Sequence, residues 1–283
     1  MLDLMNPIGG WHPDVPSIDD LSMYHAPAAT QVADGTFGDV DNRGFFKEVS
    51  LQADLPFCGS NAGADLAEAV RIYERVCPKR AGVLPGDVCL LRRIREATPD
   101  LSRLYLSWHA RNAMSPPTTH VVVGTYNRLI IDTLVRFGIP KESLWPYSAD
   151  KKCTRPSILA ERDAATNRFF AGLAVDVGVD RETGIMRALR TSPGVLFGGS
   201  FPSSILSYRD LQEETAPTLV WKEGEAVPVN HAMILAGASV RRQAYLVRNS
   251  WGKGFGFGGY MWLSREYVLS RLCSSFWMLV GDP

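Results

Sequence analysis

The sequence predicts an α+β protein with two unlike lobes. Amphipathic helical segments fill the first half of the chain, and short β-type runs separated by turns fill the last third. A Pro- and Lys-rich stretch at 140–156 separates the two patterns. Runs of helices followed by runs of strands are typical of α+β folds, in which helices and sheet occupy different parts of the molecule.

The first half begins with an arm and continues as helices. Residues 1–45 are rich in Pro, Gly and Asp and carry few periodic apolar positions, so we expect an extended arm there. Helices are predicted at 58–76, 101–112 and 125–137. The apolar stripe of the first is Ala62, Leu66, Ala69, Tyr73 and Val76. Gly138 ends the third helix.

After the break, the second half is predicted to be mainly antiparallel sheet. Two further helices are expected at 158–170 and 183–190. Predicted strands cover 195–205, 232–237, 244–248, 260–263 and 275–280. We therefore expect one domain at 46–283, with a helical lobe at about 46–150 and a β lobe at about 151–283.

Composition excludes several classes of function. The 283 residues contain 46% hydrophobic and 21% charged side chains, and Lys+Arg equals Asp+Glu at 30 each. No basic field is present to attract nucleic acid or an anionic membrane. We find no apolar run of about 18 residues, and the N-terminus lacks the basic start of a secretory signal. We expect no nucleic-acid or membrane partner.

The cysteines indicate free thiols. There are five, at wide spacings, and no Cys/His cluster has zinc spacing. We therefore expect neither a metal nor a cofactor, and a reducing, cytoplasmic environment; two disulfides plus one active thiol remain the alternative.

Cys58 is a candidate nucleophile. It stands at the first position of a predicted amphipathic helix, where backbone N–H groups and the helix dipole favour a negative sulfur. Gly59, Ser60, Ala62 and Gly63 are small and allow close approach of a substrate. A cysteine at the start of a helix is more often simply buried, so this signal needs support from elsewhere in the chain.

That support comes from His231 and Asn249. His231 precedes an apolar strand, and Asn249 follows a strand and leads into Trp251 and a glycine-rich turn. An Asn oxygen accepting from one imidazole nitrogen fixes the tautomer and directs the other nitrogen at a thiol. The Trp251 indole can cover that hydrogen bond.

These segments resemble the papain-like cysteine peptidases. Asn249-Ser250-Trp251-Gly252, with the glycines and the Tyr that follow, is similar to the family's Asn-Ser-Trp-Gly block, with Phe255 where a second Trp is usual. The stretch 138–147 (GIPKESLWPY) and the strand at 195–205 also resemble family segments. The resemblance spans nearly the whole chain and implies a papain-like two-lobe fold with the active-site cleft between the lobes.

The nucleophile segment departs from the family pattern and allows two placements. If Cys58-Gly59-Ser60 matches the family's Cys-Gly-Ser, the nucleophile position falls on Asn61 and the protein is inactive. If Cys58 is the nucleophile, Gln52 lies six positions before it, which is the family's own Gln-to-Cys spacing. The first placement puts Leu55 at the oxyanion position, where it cannot donate a hydrogen bond. The second is favoured.

The resemblance implies a cysteine endopeptidase acting on polypeptides through a thiolate–imidazolium pair. Cys58, His231, Asn249 and Gln52 would be catalytic, and Gly124, Asn230 and Trp251 would bind substrate. The alternatives are a catalytically silent scaffold in a larger assembly, such as a phage or other virion, and a cell-wall amidase.

Only 57 residues precede Cys58. The family usually carries a larger inhibitory segment. We therefore expect a short arm that can lie across the cleft, with Asp14, Asp19 and Asp20 as its polar anchors.

Overall fold

The computed structural model describes residues 10–17, 19–77 and 88–281. Their helices are α1 (Ala28–Val32), α2 (Cys58–Val76), α3 (Val88–Ala97), α4 (Arg103–Asn112), α5 (Asn127–Arg136), α6 (Ile158–Ala165), α7 (Arg181–Thr191) and α8 (Arg265–Leu269). Their strands are β1 (Trp11–His12), β2 (Val40–Asp41), β3 (Thr125–Tyr126), β4 (Ala171–Ala174), β5 (Val195–Phe201), β6 (Thr218–Leu219), β7 (Val229–Ser239), β8 (Ala244–Arg248), β9 (Tyr260–Ser264) and β10 (Cys273–Val280). No helix among these residues is long and apolar enough to cross a membrane.

Eight strands form one sheet. Seven follow the order β4-β10-β5-β7-β8-β9-β6, and the eighth, β2, pairs with the C-terminal end of β7. All pairs are antiparallel except β6 with β9. Both faces of the central strands are buried, which explains their nearly unbroken apolar sequences. On β5, for example, Leu196 packs on the face that α2 covers, while Val195 and Phe197 pack on the opposite face, which α7 covers.

The helix α2 occupies the centre of the molecule. It packs against α4 and α5 on one side and against β7 of the sheet on the other. Nearly every residue from Cys58 to Val70 is buried, including the small Ala64, Ala67 and Ala69, which let neighbouring elements approach. This position brings the first residue of α2 to the point where the helices meet β7.

A buried ion pair ties α2 to the sheet. Arg248, at the end of β8, contacts the Asp65 carboxylate at 2.8 Å, with side chains 1% and 7% exposed. The same guanidinium donates to the hydroxyl of Tyr260 at 3.0 Å. Because Arg248 precedes Asn249 and Asp65 lies two turns after Cys58, the pair holds the two sides of the cleft in register.

The N-terminal segment differs from the expectation of a simple extended arm. Val40–Asp41 joins the main sheet beside β7, and Ala28–Val32 is a short helix. Trp11–His12 forms a separate two-stranded parallel sheet with Thr125–Tyr126. The predicted third helix accordingly begins at Asn127, because Thr125 and Tyr126 are extended to pair with the arm.

The second half also contains more helix than a pure β lobe. The helices α6, α7 and α8 lie between its strands. The helix predicted at 158–170 ends at Ala165, and the backbone N–H of Phe170 already donates to Val280 at the sheet edge. The strand predicted at 195–205 ends at Phe201, because Pro202 has no N–H to continue the ladder.

Candidate active site

The fold brings Cys58, His231 and Asn249 together. Cys58 begins α2, His231 lies near the start of β7, and Asn249 follows β8. The backbone N–H of Ala232, the residue after His231, donates to the Cys58 sulfur at 3.3 Å. Cys58 and His231 are both fully buried. Two segments 173 positions apart (231 − 58) therefore meet at the sulfur.

The His231–Asn249 contact defines the imidazole tautomer. His231 Nε2 lies 2.7 Å from Asn249 Oδ1, and the same oxygen accepts the backbone N–H of Ser250 at 2.7 Å. An amide oxygen can only accept, so Nε2 carries the proton. His231 Nδ1 is buried with no hydrogen-bond partner among the described residues. The nitrogen left free is the one available to a thiol.

Aromatic rings shield this contact from water. The Trp251 ring lies 4.5 Å from the His231 ring, centroid to centroid, and Phe255 packs edge-on against Trp251 at 5.0 Å. Phe255 is 3% exposed. The phenylalanine that replaces the family's usual second Trp thus still supports the indole over the imidazole.

Gln52 is held in place by the Asn-Ser-Trp-Gly segment. Its backbone N–H donates to the Ser250 carbonyl at 2.9 Å, and its side-chain Oε1 accepts from Ser250 Oγ at 2.6 Å. The Nε2 amide donates to Leu55 at 3.1 Å. Since a primary amide has two N–H groups, one remains for a reacting oxygen. Tyr147 Oη supports the loop by donating to the Gln52 carbonyl at 3.0 Å.

The competing placement of the nucleophile on Asn61 does not fit this geometry. The Asn61 amide donates to the Phe57 carbonyl at 2.8 Å and contacts Tyr147 Oη at 3.4 Å. It lies one turn along α2, facing the helical side of the cleft. The residue beside the His231 strand is Cys58.

The three residues predicted to bind substrate lie in different settings. Gly124 contacts the N-terminal arm: a Cβ added there would lie 2.3 Å from the carbonyl carbon of Gly10. Trp251 covers His231. Asn230 is half-buried and accepts a hydrogen bond from Ser200 Oγ at 2.7 Å on the neighbouring strand, so its side chain is already engaged.

The arm covers the sulfur. The Gly10 carbonyl accepts the Thr125 N–H at 3.0 Å, and a Cβ on Gly10 would lie 2.8 Å from Cys58 Sγ. Trp11 is 3% exposed and forms a buried cluster with Cys58 and Ala232. The arm thus occupies the edge of β3 in the way an added peptide strand would.

Asp14 anchors the arm. Its carboxylate accepts from Trp277 Nε1 at 2.7 Å and from the Arg128 backbone N–H at 3.2 Å, while its own N–H donates to Ser275 Oγ at 2.9 Å. The Arg128 side chain also pairs with Asp20 at 2.6 Å. Desolvation raises the pKa of Asp14, and the Trp277 and Arg128 donors oppose that shift.

Burial shifts the pKa values of Cys58 and His231 towards the neutral forms of both groups. Desolvation raises the pKa of the Cys58 thiol to about 11 and lowers the pKa of His231 to about 4. The backbone N–H groups of Ala232, Gly59 and Cys58, together with that of Gly10 in the arm, lower the thiol pKa and only partly offset the burial. The family resemblance implies a thiolate–imidazolium pair, whereas the burial of both groups in this structure favours the thiol and the neutral imidazole.

The contacts made by several site residues carry no sequence signal, although Ser250 and Tyr147 lie in segments that resemble the family. Ser250 orients the Gln52 amide, Tyr147 supports its backbone, and Trp11 fills the cleft. Of the three predicted anchors of the arm, Asp14 and Asp20 make side-chain contacts with the rest of the molecule, whereas Asp19 is exposed. Tyr147 and Ser250 act through contacts with residues 95 and 198 positions away, which no local pattern reveals.

Comparison with known proteins gives the family. The model described as "Papain family cysteine protease" matches residues 124–275, more than half of the chain. The chain belongs to the papain family of cysteine proteases. The matched range contains His231 and Asn249 but begins after Gln52 and Cys58, so the assignment of those two residues depends on the geometry above.

A curated relative agrees with this assignment. An uncharacterized peptidase C1-like protein of Acanthamoeba polyphaga mimivirus is 28% identical over 192 residues, which cover 64% of this chain and 60% of that protein. The chain therefore spans about three fifths of the length of this curated relative.

Two solved structures share the fold. Xylellain, a cysteine protease from Xylella fastidiosa, aligns with a TM-score of 0.76 at 21% identity, covering 98% of this chain and 97% of that one. Digestive procathepsin L 3 of Tenebrio molitor aligns at 0.65 and 15% identity, covering 97% and 77%. The papain-like α+β fold predicted from the sequence is confirmed.

Proposed function

We propose that the chain is a cysteine endopeptidase in which Cys58 is the nucleophile, His231 the acid–base group and Gln52 an oxyanion donor. The observation that carries the proposal is the set of contacts at the sulfur. The backbone of Ala232 donates to Cys58 Sγ, and Asn249 holds the neighbouring imidazole by Nε2, which leaves Nδ1 for the thiol.

The reaction begins once the arm leaves the cleft. The Cys58 thiol transfers its proton to His231 Nδ1, and the thiolate attacks the peptide carbonyl. The backbone N–H of Cys58 and the free Nε2–H of Gln52 stabilise the negative oxygen. His231 then gives its proton to the leaving amine, the acyl-enzyme forms, and His231 activates the water that releases the acid.

Asn249 acts by positioning His231. Losing its oxygen removes the hydrogen bonds from His231 and from the Ser250 N–H. The bond that positions the imidazole contributes about 1–1.5 kcal/mol, so Asn249→Ala should lower kcat about tenfold. The loss is smaller than for Cys58, because the imidazole keeps its place on β7 without Asn249.

The test combines hydrolysis with labelling. Casein and peptidoglycan digestion are measured for the wild type, Cys58→Ser and the control Cys89→Ser, which removes an exposed thiol on α3. An active-site-directed thiol probe is mapped by mass spectrometry. We expect casein cleavage and Cys58 labelling in the wild type and the control alone. Peptidoglycan cleavage without casein cleavage would indicate an amidase. If the probe fails to label Cys58 even in Asp14→Ala, which removes the anchor of the arm, the chain is a silent scaffold.

We also propose that the protein acts on polypeptides in the cytoplasm, with association with a virion as the alternative. The described residues form no disulfide, and Cys273 is fully buried as a thiol, which suits a reducing compartment. Quantifying the protein in purified particles against the cytosol of the producing cells distinguishes the two locations.

A further inference from the structure

A chain of hydrogen bonds on the helical side of the cleft joins the two residues that supply the proposed oxyanion donors. The Tyr147 hydroxyl donates to the Gln52 carbonyl at 3.0 Å and accepts from Asn61 Nδ2 at 3.4 Å. The same Asn61 amide donates to the Phe57 carbonyl at 2.8 Å. The chain therefore runs from Gln52, through one hydroxyl and one amide, to the residue that precedes Cys58.

The Phe57 carbonyl and the Cys58 N–H belong to one peptide group. A peptide group is planar, so a hydrogen bond that holds its carbonyl also fixes the direction of its N–H. The Phe57 carbonyl accepts from Asn61 Nδ2, from the Asn61 backbone N–H at 3.0 Å and from Ser60 Oγ at 2.9 Å. Asn61 therefore helps to aim the Cys58 N–H at the place where the negative oxygen forms.

Gln52 is held from both sides of the cleft. On the sheet side, Ser250 accepts the Gln52 backbone N–H at 2.9 Å and donates to its Oε1 at 2.6 Å. On the helical side, Tyr147 holds the Gln52 carbonyl. Because Cys58 begins α2 on that same helical side, Tyr147 ties Gln52 to the nucleophile's own side of the cleft.

Tyr147 is itself held rigidly. Its backbone N–H donates to Glu142 Oε1 at 2.6 Å, and the Arg103 guanidinium lies 4.5 Å over its ring while donating to the same oxygen at 3.2 Å. Desolvation raises the pKa of Tyr147 to about 12, so its hydroxyl keeps its proton for the Gln52 carbonyl at neutral pH. The hydroxyl is therefore a fixed donor.

We propose that Tyr147 and Asn61 are positioning residues, which hold the Gln52 amide and the Cys58 N–H at the separation at which both reach the negative oxygen. The proposal rests on the peptidase function above and adds two residues that act through Gln52 and Phe57. Both donors must reach one oxygen at once, so a small displacement of either weakens the transition state more than the bound substrate. The proposal also gives a role to Asn61, the position at which the competing placement would put the nucleophile.

The kinetic test uses the full chain with Asp14→Ala as the parent, so that the arm does not limit access to the cleft. Tyr147→Phe removes one hydroxyl, Asn61→Ala removes the amide, and the matched control Tyr24→Phe removes a hydroxyl from a tyrosine that is 71% exposed. With a fluorogenic peptide, Tyr147→Phe and Asn61→Ala should each lower kcat about tenfold, the scale of one hydrogen bond, and change KM by less than about twofold. Tyr24→Phe should match the parent. Because both residues belong to one hydrogen-bonded chain, the double variant should lower kcat by about 10–30-fold, less than the product of the single losses.

A peptide aldehyde separates positioning from a general loss of structure. The Cys58 sulfur bonds to the aldehyde carbon, and the aldehyde oxygen then lies where the two donors converge. The inhibition constant of the aldehyde should rise about tenfold in Tyr147→Phe and in Asn61→Ala. The rate of Cys58 alkylation by iodoacetamide should change by less than about twofold, because alkylation expels iodide and places no negative oxygen between the donors.

A loss confined to kcat and aldehyde affinity supports the positioning role. Unchanged kcat and unchanged aldehyde affinity in Tyr147→Phe overturn it, as does a loss of alkylation rate equal to the loss of aldehyde affinity, since Cys58 itself would then be displaced. A parent that neither hydrolyses the peptide nor binds the aldehyde contradicts the peptidase function and removes the positioning role with it. An active parent whose variants match it removes the positioning role alone.

Discussion

Replacing Asp14 by Ala should open the cleft without touching the catalytic residues. The carboxylate accepts from Trp277 Nε1 at 2.7 Å and from the Arg128 N–H at 3.2 Å. Hydrogen bonds to a charged group contribute about 1.5–3 kcal/mol each, which gives about 3–6 kcal/mol for the two donors. The cost of burying the carboxylate, which also raises its pKa, offsets part of this. A net loss of about 2 kcal/mol corresponds to about a 30-fold larger open fraction.

The assay is the rate of Cys58 alkylation by iodoacetamide at fixed pH, followed by peptide mapping. When the closed form dominates, this rate is proportional to the open fraction, so Asp14→Ala should be alkylated about 30-fold faster than the wild type. Asp19→Ala is the matched control, since Asp19 lies exposed in the same arm with no side-chain contact among the described residues. Equal rates in Asp14→Ala and Asp19→Ala would refute the reasoning, because the arm would then be held by something else or would not cover the sulfur in solution.

Three further outcomes follow from the site. Gln52→Ala should lower kcat by about 10²–10³ with little change in KM, since its amide is needed only when the oxygen becomes negative; steady-state kinetics check this, and an equal rise in KM would contradict it. Asp65→Ala should lower the free energy of unfolding in urea by about 3–5 kcal/mol, because it leaves a buried guanidinium unpaired, whereas Glu96→Gln in an exposed pair should change it by less than about 1 kcal/mol. In NMR titrations, His231 of the wild type should stay neutral down to about pH 4, and Trp11→Ala should move its pKa up towards 6.5, since removing the indole lets water solvate the imidazolium; an unchanged titration would contradict this.

The elements that sequence predicts well are those whose local pattern and tertiary role agree. The helix α2 has the predicted bounds, Cys58–Val76, because its stripe of small and apolar residues repeats at helical spacing over five turns. The strand β8, Ala244–Arg248, is likewise as predicted. In both, the local pattern sets the bounds of the element, although burial in α2 extends beyond the predicted stripe to Asp65 and Glu68.

The missed elements depend on partners distant in sequence. Ala171–Ala174 is a strand although its residues are small, because it pairs with β10 about 100 positions later. The helix Val88–Ala97 is rich in arginine. Among its described side chains, Leu91 and Ile94 pack against the core and Leu90 is exposed, so its apolar face is too narrow to predict.

The residues of the candidate site also fall into those that the sequence predicts and those that it does not. Asn249 and Trp251 belong to a contiguous block whose chemistry can be read directly, and the Gln52-to-Cys58 spacing is local too. The sequence predicts that the arm can lie across the cleft, but it does not predict the pairing that holds it there, since two residues of β1 pair with a two-residue strand more than 100 positions later. The pKa values could not be predicted for the same reason, because they follow from burial under that arm.

The arm that covers the Cys58 sulfur also helps to exclude water from Cys58 and His231. Covering the sulfur and favouring the neutral forms of these two groups therefore have one physical cause. Separating a proton from Cys58 to His231 creates two charges, and in the closed cleft neither charge reaches water. Desolvation then moves the thiol pKa up to about 11 and the imidazole pKa down to about 4, which makes the ion pair the unfavourable state. Under the proposed mechanism, withdrawal of the arm would readmit water and substrate together. Renewed solvation would move both pKa values back towards their ordinary range, although the thiol would lose the Gly10 N–H that lowers its pKa. A variant that loosens the arm should therefore expose the sulfur and change the thiol pKa in the same step.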